Sequence, residues 1–296
     1  LIMTAKPILW VVIPCYNQAR FLDEAVGSVL GCGYDAVEII VVNDGSSSEE
    51  DNRLLHGFIR PKTRVIHQRN MGLAAARNAG IEAASGKYIL PLDADDKTAE
   101  GFLPEAVRIA ESDPGICVVT GKYRLFGLTE SDPQGAPYEG FASELLGNRI
   151  VVSSLFRKEG WEKAGGYSPQ MKYGMEDWDF WISLLEKTGG RVVQLDRPTM
   201  YYRQHETSMF RDLVGDRRRK EEMFGMLVRR HLDSYLAHPE TLAEYMLEKY
   251  GILEERALRH ESRMERKYVK YRRLFKCTAW LGGLLLLALA LLLALG

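Results

Sequence analysis

The chain is short of several things, and each shortage removes a class of function. Its 296 residues hold only four cysteines, Cys15, Cys32, Cys117 and Cys277, scattered and without a C-x-x-C pair. Neither a disulfide framework nor a zinc site is expected, and a reducing compartment is the default. Basic residues (39) and acidic residues (40) nearly cancel, for a net charge of −1, so no global field recruits nucleic acid. No G-x-G-x-x-G follows the first apolar run, which argues against NAD or FAD. No basic-then-apolar leader opens the chain, and Leu1-Ile2 ahead of Met3 are left out of fold reasoning. The length still suffices for one large or two modest domains with a proper core.

Long apolar runs are missing until residues 279–295, which are almost purely Leu, Ala and Gly. At 1.5 Å per residue, about 17 residues span roughly 25 Å, close to a hydrocarbon core. Trp280 stands where an interfacial aromatic belongs, and Lys267, Lys270, Arg272, Arg273 and Lys276 precede it. That basic flank places the larger N-terminal part on the cytoplasmic side. The competing reading, an amphipathic or core helix, lacks a polar face.

From the N-terminus, 8–13 reads as a strand ended by Pro14. Asn17 is placed to cap a helix whose apolar period covers Phe21, Leu22, Ala25, Val26, Val29 and Leu30. A second buried strand, 37–42, ends in Asn43-Asp44-Gly45-Ser46. Strand, helix, strand with a polar loop after each strand begins a doubly wound α/β sheet. A short strand at 65–67 leads to a helix of small residues, 70–80, whose one strong cation is Arg77. Arg77 suits a diphosphate, or a structural ion pair.

The stretch K-Y-I-L-P-L-D-A-D-D, residues 87–96, is the centre of the chain. An apolar strand delivers Asp93, Asp95 and Asp96 at its end, where open α/β sheets bind ligands. In extended chain a D-x-D pair points to one side and can hold a hard divalent cation with a phosphate on it. A solvated acidic turn, with Asp96 capping the next helix, is the alternative. An EF-hand is excluded, because Thr98 and Pro104 stand where Gly and Glu are required.

Four motifs in series, V-V-I-P-C-Y-N, V-V-N-D-G-S, N-M-G-L-A-A-A-R-N-A-G and G-K-Y-I-L-P-L-D-A-D-D, resemble family-2 glycosyltransferases of the GT-A fold, over about residues 8–209. The resemblance implies a Rossmann-like mixed α/β sheet flanked by helices. It also implies a nucleotide-sugar donor and a divalent metal, Mn²⁺ or Mg²⁺. Donor contacts would come from Pro14, Tyr16, Asn17, Asp44 (to the base), Arg77 and Asp93. Asp95 would ligate the metal. An E-D-x-D-x-W stretch past the D-x-D would supply Asp177 as general base, with Glu176 positioning and Trp178 stacking on a sugar or packing in the core. One base without a protein nucleophile implies inversion. Carboxylates at a helix start are also favoured by the helix dipole alone. In Y-R-x-H-x-x-S, His205 would contact metal or diphosphate and Arg203 the phosphates, though a lone histidine near a turn is also ordinary polar surface.

Between these motifs a helix at 99–110 and strands at 116–120 and 148–155 are expected, around a Gly- and Pro-rich loop, 127–147, of functional length. The family's acceptor side lies there. Strands at 192–195 and 200–203 flank a turn, Asp196-Arg197-Pro198. The expected division is a transferase domain over 1–211, a charged helical juxtamembrane region over 212–276, and a membrane helix over 277–296. Q-x-x-R-W does not occur, so single-sugar transfer to a glycan or lipid-linked saccharide fits better than polysaccharide extrusion. A polyprenyl-phosphate sugar synthase, a non-catalytic saccharide or nucleotide scaffold, and a nucleotidyltransferase remain as other readings.

Overall fold

The computed structural model describes residues 8–205, 213, 215–241, 243, 247, 264 and 266–270. The chain divides into two compact units, Leu1–His238 and Pro239–Gly296. The expected membrane helix lies outside the described residues. Among the described residues, no helix is long and apolar enough to cross a membrane.

The first unit is built on one mixed sheet of eight strands: β1 (Leu9–Cys15), β2 (Val37–Asp44), β3 (Thr63–Gln68), β4 (Tyr88–Pro91), β5 (Lys97–Thr98), β6 (Ile116–Gly127), β7 (Leu155–Arg157) and β8 (Arg191–Gln204). Their order is β3-β2-β1-β4-β7-β6-β8-β5. The first four run parallel; β7 and β5 pair antiparallel with their neighbours. Every residue of β1 is buried, because the sheet is covered on both faces. Leu9, Val11 and Ile13 pack under α1 (Leu22–Leu30) and α4 (Phe102–Ser112). Trp10 and Val12 face the layer of α3 (Leu73–Ala83), α6 (Lys158–Ala164) and α7 (Glu176–Thr188). A strand buried on both sides must be apolar throughout rather than alternating.

The small residues of α3 let it lie directly on the sheet. A Cβ on Gly80 would fall 2.3 Å from Val12 Cγ1 and 3.0 Å from Val42 Cγ2, so only glycine fits there. Close seating of α3 brings Arg77, three residues earlier, over the carboxyl ends of the strands.

Several local expectations change. Pro14 does not end β1 but sits within it, buried and opposite Val42. Pairing with β4 stops at Val12 and Pro91, so the proline has one ladder neighbour fewer to satisfy. Asn17 caps no helix: it is held at φ 55° and bonds across to the next loop. The helix α2 (Glu49–His56) was not expected; its signal is Ser48, whose side chain accepts from Asp51 N, with Glu49, Glu50 and Asp51 in the first turn. The turn expected at 196–198 is absent, because β8 runs unbroken past it. Register shifts against β6 near Lys122, opposite Pro198, absorb the missing donor. Most of 148–155 is irregular rather than strand. There Ser154 Oγ donates to Val151 O and bonds Thr120 Oγ1 in place of a ladder.

The first unit also runs past the expected boundary at 211. Helices α8 (Arg217–Arg230) and α9 (Leu232–Ala237) contribute Met223, Leu227 and Tyr235 to a cluster with Trp178 and Ile182 of α7 and Leu145 of α5 (Phe141–Leu146). Beside it the buried His231 ring lies between Asp179 (Nε2 to Oδ1, 3.1 Å) and Glu186 (Nδ1 to Oε2, 3.0 Å). Burial works against its charged form, but the hydrogen bonds to the two carboxylates outweigh it and push its pKa up to about 9. A raised folded-state pKa gives stability that is complete below pH 6.5 and lost as pH rises through 9. Wild type should therefore exceed His231→Gln by about 2–3 kcal/mol at pH 6. In urea unfolding that gap should close by pH 9.5; a gap independent of pH would rule out the charged pairing.

Candidate active site

Strand order reverses at β1, with β2 on one side and β4 on the other, which opens a crevice at the carboxyl ends of these strands. Three loops meet there. The first two are knotted by Asn17, whose Oδ1 accepts from Ser47 N (2.9 Å) and Ser48 N (3.2 Å) and whose Nδ2 donates to Ser47 Oγ (2.9 Å). Asn tolerates the left-handed backbone this needs. Tyr16 beside it is 46% exposed and free to face a ligand. Pro14, buried in β1, offers no such surface. Asp44, expected on a nucleobase, is buried. Its Oδ1 accepts from Gln68 Nε2 (2.7 Å) and Met71 N (2.9 Å), and its Oδ2 from Gly72 N (2.9 Å). It shapes the wall leading into α3, and most of its acceptor capacity is spent on protein.

Between the acidic turn after β4 and the start of α7 lies Arg77, 1% exposed. Its Nη2 donates to Asp93 Oδ1 at 2.7 Å and its Nη1 to Glu176 Oε1 at 2.5 Å. Burial disfavours the charged guanidinium, but the carboxylates of Asp93 and Glu176 outweigh it and hold its pKa above the ordinary value. Both Nη groups of Arg77, expected near the diphosphate, are engaged in this buried bridge. Arg203, expected on the phosphates, likewise meets protein groups. Its guanidinium lies between the Phe21 and Phe126 rings (4.6 and 4.4 Å), with Nε donating to Asp95 O and Nη2 to Glu24. Its backbone N donates to the buried Asp96 Oδ1, so Asp96 caps no helix and Arg203 secures the acidic turn from behind.

Asp95 and His205 do come together, with Oδ2 and Nε2 2.6 Å apart. Gln18, which sequence reasoning missed, adds an Nε2 bond to the same oxygen at 3.1 Å. Burial, and then the charge of Asp93, push Asp95 above the usual carboxylate range, so a cation there would relieve an unfavourable charge. Of this pair the carboxylate suits a hard cation such as Mn²⁺ or Mg²⁺, and the imidazole would favour a softer one than Mg²⁺. Among the described residues no group of three or more His, Cys, Asp or Glu side chains is arranged to hold an ion.

Across the crevice α7 begins at Glu176, preceded by Met175 in the left-handed region (φ 66°, ψ 12°). Strain of that kind in a non-glycine residue concentrates at functional sites. Half-buried Asp177 follows. Its Oδ1 accepts from Trp178 N (2.8 Å) and its Oδ2 from Asn148 Nδ2 (2.9 Å). Burial is the main cause that raises its pKa; Arg77 and Asn148 pull the other way. Trp178 is 9% exposed, its Nε1 donates to Glu144 O at 2.6 Å, and it packs with Ile182 and Leu227. Core packing wins over sugar stacking.

Residues 10–169 match the sequence profile of glycosyl transferase family 2, more than half of the chain. The chain belongs to glycosyl transferase family 2. It is 34% identical over 220 residues to the uncharacterized glycosyltransferase EpsJ of Bacillus subtilis, across 69% of this chain and 63% of that protein. It is 36% identical over 129 residues to the glycosyltransferase GlyG of Streptococcus pneumoniae, across 42% of this chain and 41% of that one. The chain thus spans less than two thirds of these relatives. Among solved structures, Staphylococcus aureus TarS 1–349 aligns with a TM-score of 0.56 at 18% identity over 76% of this chain and 72% of that chain. Its complex with UDP-GlcNAc gives 0.55 at 16% identity over the same shares. The mixed sheet of this family-2 glycosyltransferase is accordingly GT-A-like.

If Asp95 and His205 hold the metal in this family-2 site, His205→Ala should weaken Mn²⁺-supported UDP binding about 10- to 100-fold. UDP binding in EDTA should stay unchanged. Calorimetry showing equal Mn²⁺-supported affinities in both proteins would remove His205 from the ligand set.

Proposed function

We propose that this family-2 glycosyltransferase is an inverting, divalent-metal-dependent enzyme. It moves a single sugar from a UDP-sugar to a hydroxyl of a glycan or lipid-linked saccharide. The observation that carries the reading is Asp177, half-buried, tethered through both oxygens, and facing the acidic turn of Asp93 and Asp95 across one buried guanidinium. The UDP and UDP-GlcNAc complexes of the TarS neighbour favour a UDP donor.

In this mechanism Tyr16 and Asn17 line the donor's nucleoside end, and Asp93 stands beside its ribose. Asp95 and His205 would hold the metal, which supplies positive charge against the departing diphosphate. Asp177 Oδ2 takes the proton of the acceptor hydroxyl. That oxygen bonds to the anomeric carbon from the face opposite the leaving group, and the C1–O bond to the diphosphate breaks. The products are the glycoside, UDP and a protonated Asp177, and an α-linked donor of gluco configuration gives a β-linkage. Burial helps, because a carboxylate with a raised pKa is the stronger base. Arg77 acts through Asp93 and Glu176, not on substrate. The apolar run at 279–295 and its basic flank complete the proposal: a catalytic part on the cytoplasmic side, near an acceptor carried by the membrane.

The test is nucleoside diphosphate release from UDP-, GDP- and dTDP-sugars with Mn²⁺ or Mg²⁺. Release should favour UDP-sugars, vanish in EDTA, and fall at least 10³-fold in Asp177→Asn while donor binding persists. Undiminished release in EDTA would refute the metal. Undiminished transfer by Asp177→Asn would point to an acceptor that needs no base, such as a phosphate.

A further inference from the structure

We propose that Asn148 is the residue that orients the Asp177 carboxylate, and that the buried carboxyl group of Glu144 holds Asn148 in place. The inference rests on Asp177 as the base.

As the second residue of α7, Asp177 spends Oδ1 on the adjacent backbone amide of Trp178. With that contact alone the carboxylate could rotate about its last bond. The 2.9 Å bond from Asn148 Nδ2 to Oδ2 removes this freedom. An ionised carboxylate oxygen has two acceptor positions, so Oδ2 keeps one for the incoming hydroxyl. The other charged and titratable groups around Asp177 are Arg77 on α3, Asp93 after β4, Glu176 on its own helix, Glu144 on α5, and Tyr167 ahead of α7. Arg77 attracts the ionised form, but its two Nη groups are committed to Asp93 and Glu176. The directional contact is left to Asn148.

Asn148 lies on the surface, where an amide is not held by packing. What fixes it is the residue chain on either side. Glu144 is 0% exposed. Its Oε2 accepts from Arg149 N at 2.9 Å, and its carbonyl accepts from Trp178 Nε1 at 2.6 Å. Leu145 O accepts from Tyr235 Oη at 2.8 Å, and Ile150 is buried. Residues 144 and 149 therefore clamp the short stretch bearing Asn148 against α7. A six-residue helix such as α5 would not persist without such contacts. Burial pushes the Glu144 carboxyl well above the ordinary range, which favours its neutral form, and an amide of the same shape can replace it.

The experiment is a ¹³C NMR titration of protein labelled at the aspartate carboxyl carbon, with Asp177 assigned by its loss in Asp177→Asn. Removing a donor to the ionised form raises a pKa. In Asn148→Ala the Asp177 midpoint should move to higher pH by about half to one pH unit, the worth of one hydrogen bond. Glu144→Ala should reproduce the movement, the double variant should add little, and Glu144→Gln should keep the wild-type midpoint. In UDP release from UDP-GlcNAc, with water as acceptor, Asn148→Ala should lower kcat about tenfold at unchanged KM. An unmoved midpoint in Asn148→Ala overturns the proposal, as does a donor KM that rises in step with the loss of kcat. Retained turnover in Asp177→Asn would instead remove the base assignment beneath it, so the two failures are separable.

Discussion

The structure depends on one buried cation. Arg77 stands where the strand that delivers the acidic turn meets the helix that delivers Asp177, with one Nη on each side. A guanidinium that deep is tolerable only because two carboxylates meet it, and two carboxylates that close are tolerable only because it is there. Asp93 and Glu176 are 83 residues apart in sequence yet share this one ion, and the shared ion sets the width of the crevice. The acidic turn and the start of α7 are thereby held at a fixed spacing.

The sheet supplies the conditions for that bridge. Small residues on α3 let its backbone sink onto β1 and β2, with Gly80 directly over Val12 and Val42. A bulkier helix would carry Arg77 away from the strand ends. Burial of the sheet on both faces keeps water from the guanidinium, which strengthens its pairing as it raises the cost of losing either partner. Beyond α7, helices α8 and α9 pack on Trp178 and Ile182, so the far side of α7 is also covered.

Much of this was legible in the sequence. Apolar strands each ending in polar or acidic residues marked the sheet and the edge where the crevice opens, and the D-x-D and E-D-x-D stretches marked the two walls of that crevice. What could not be read was the direction in which individual side chains face. Arg77, Arg203, Asp44 and Trp178 all have chemistry suited to substrate, and all four are turned onto protein. A residue type reports what a side chain can bind; only tertiary packing decides what it meets first. Pro14 and the 196–198 stretch misled for a related reason. Proline and turn-forming residues break a strand only where a ladder donor is needed, and here a lapsed neighbour and a register shift removed that need. Gln18 and Asn148 escaped notice because a lone amide carries no spacing signal, although each touches a carboxylate central to the site.

The most direct test of the account is the unfolding free energy of Arg77→Met, beside that of Arg77→Met combined with Asp93→Asn and Glu176→Gln. A bridge that neutralises two buried carboxylates predicts a loss of about 3–5 kcal/mol for the single change. It also predicts recovery of most of that loss when the stranded charges are removed with it. A single variant within about 1 kcal/mol of wild type, or a triple variant no more stable than the single, would contradict the claim that this ion organises the site.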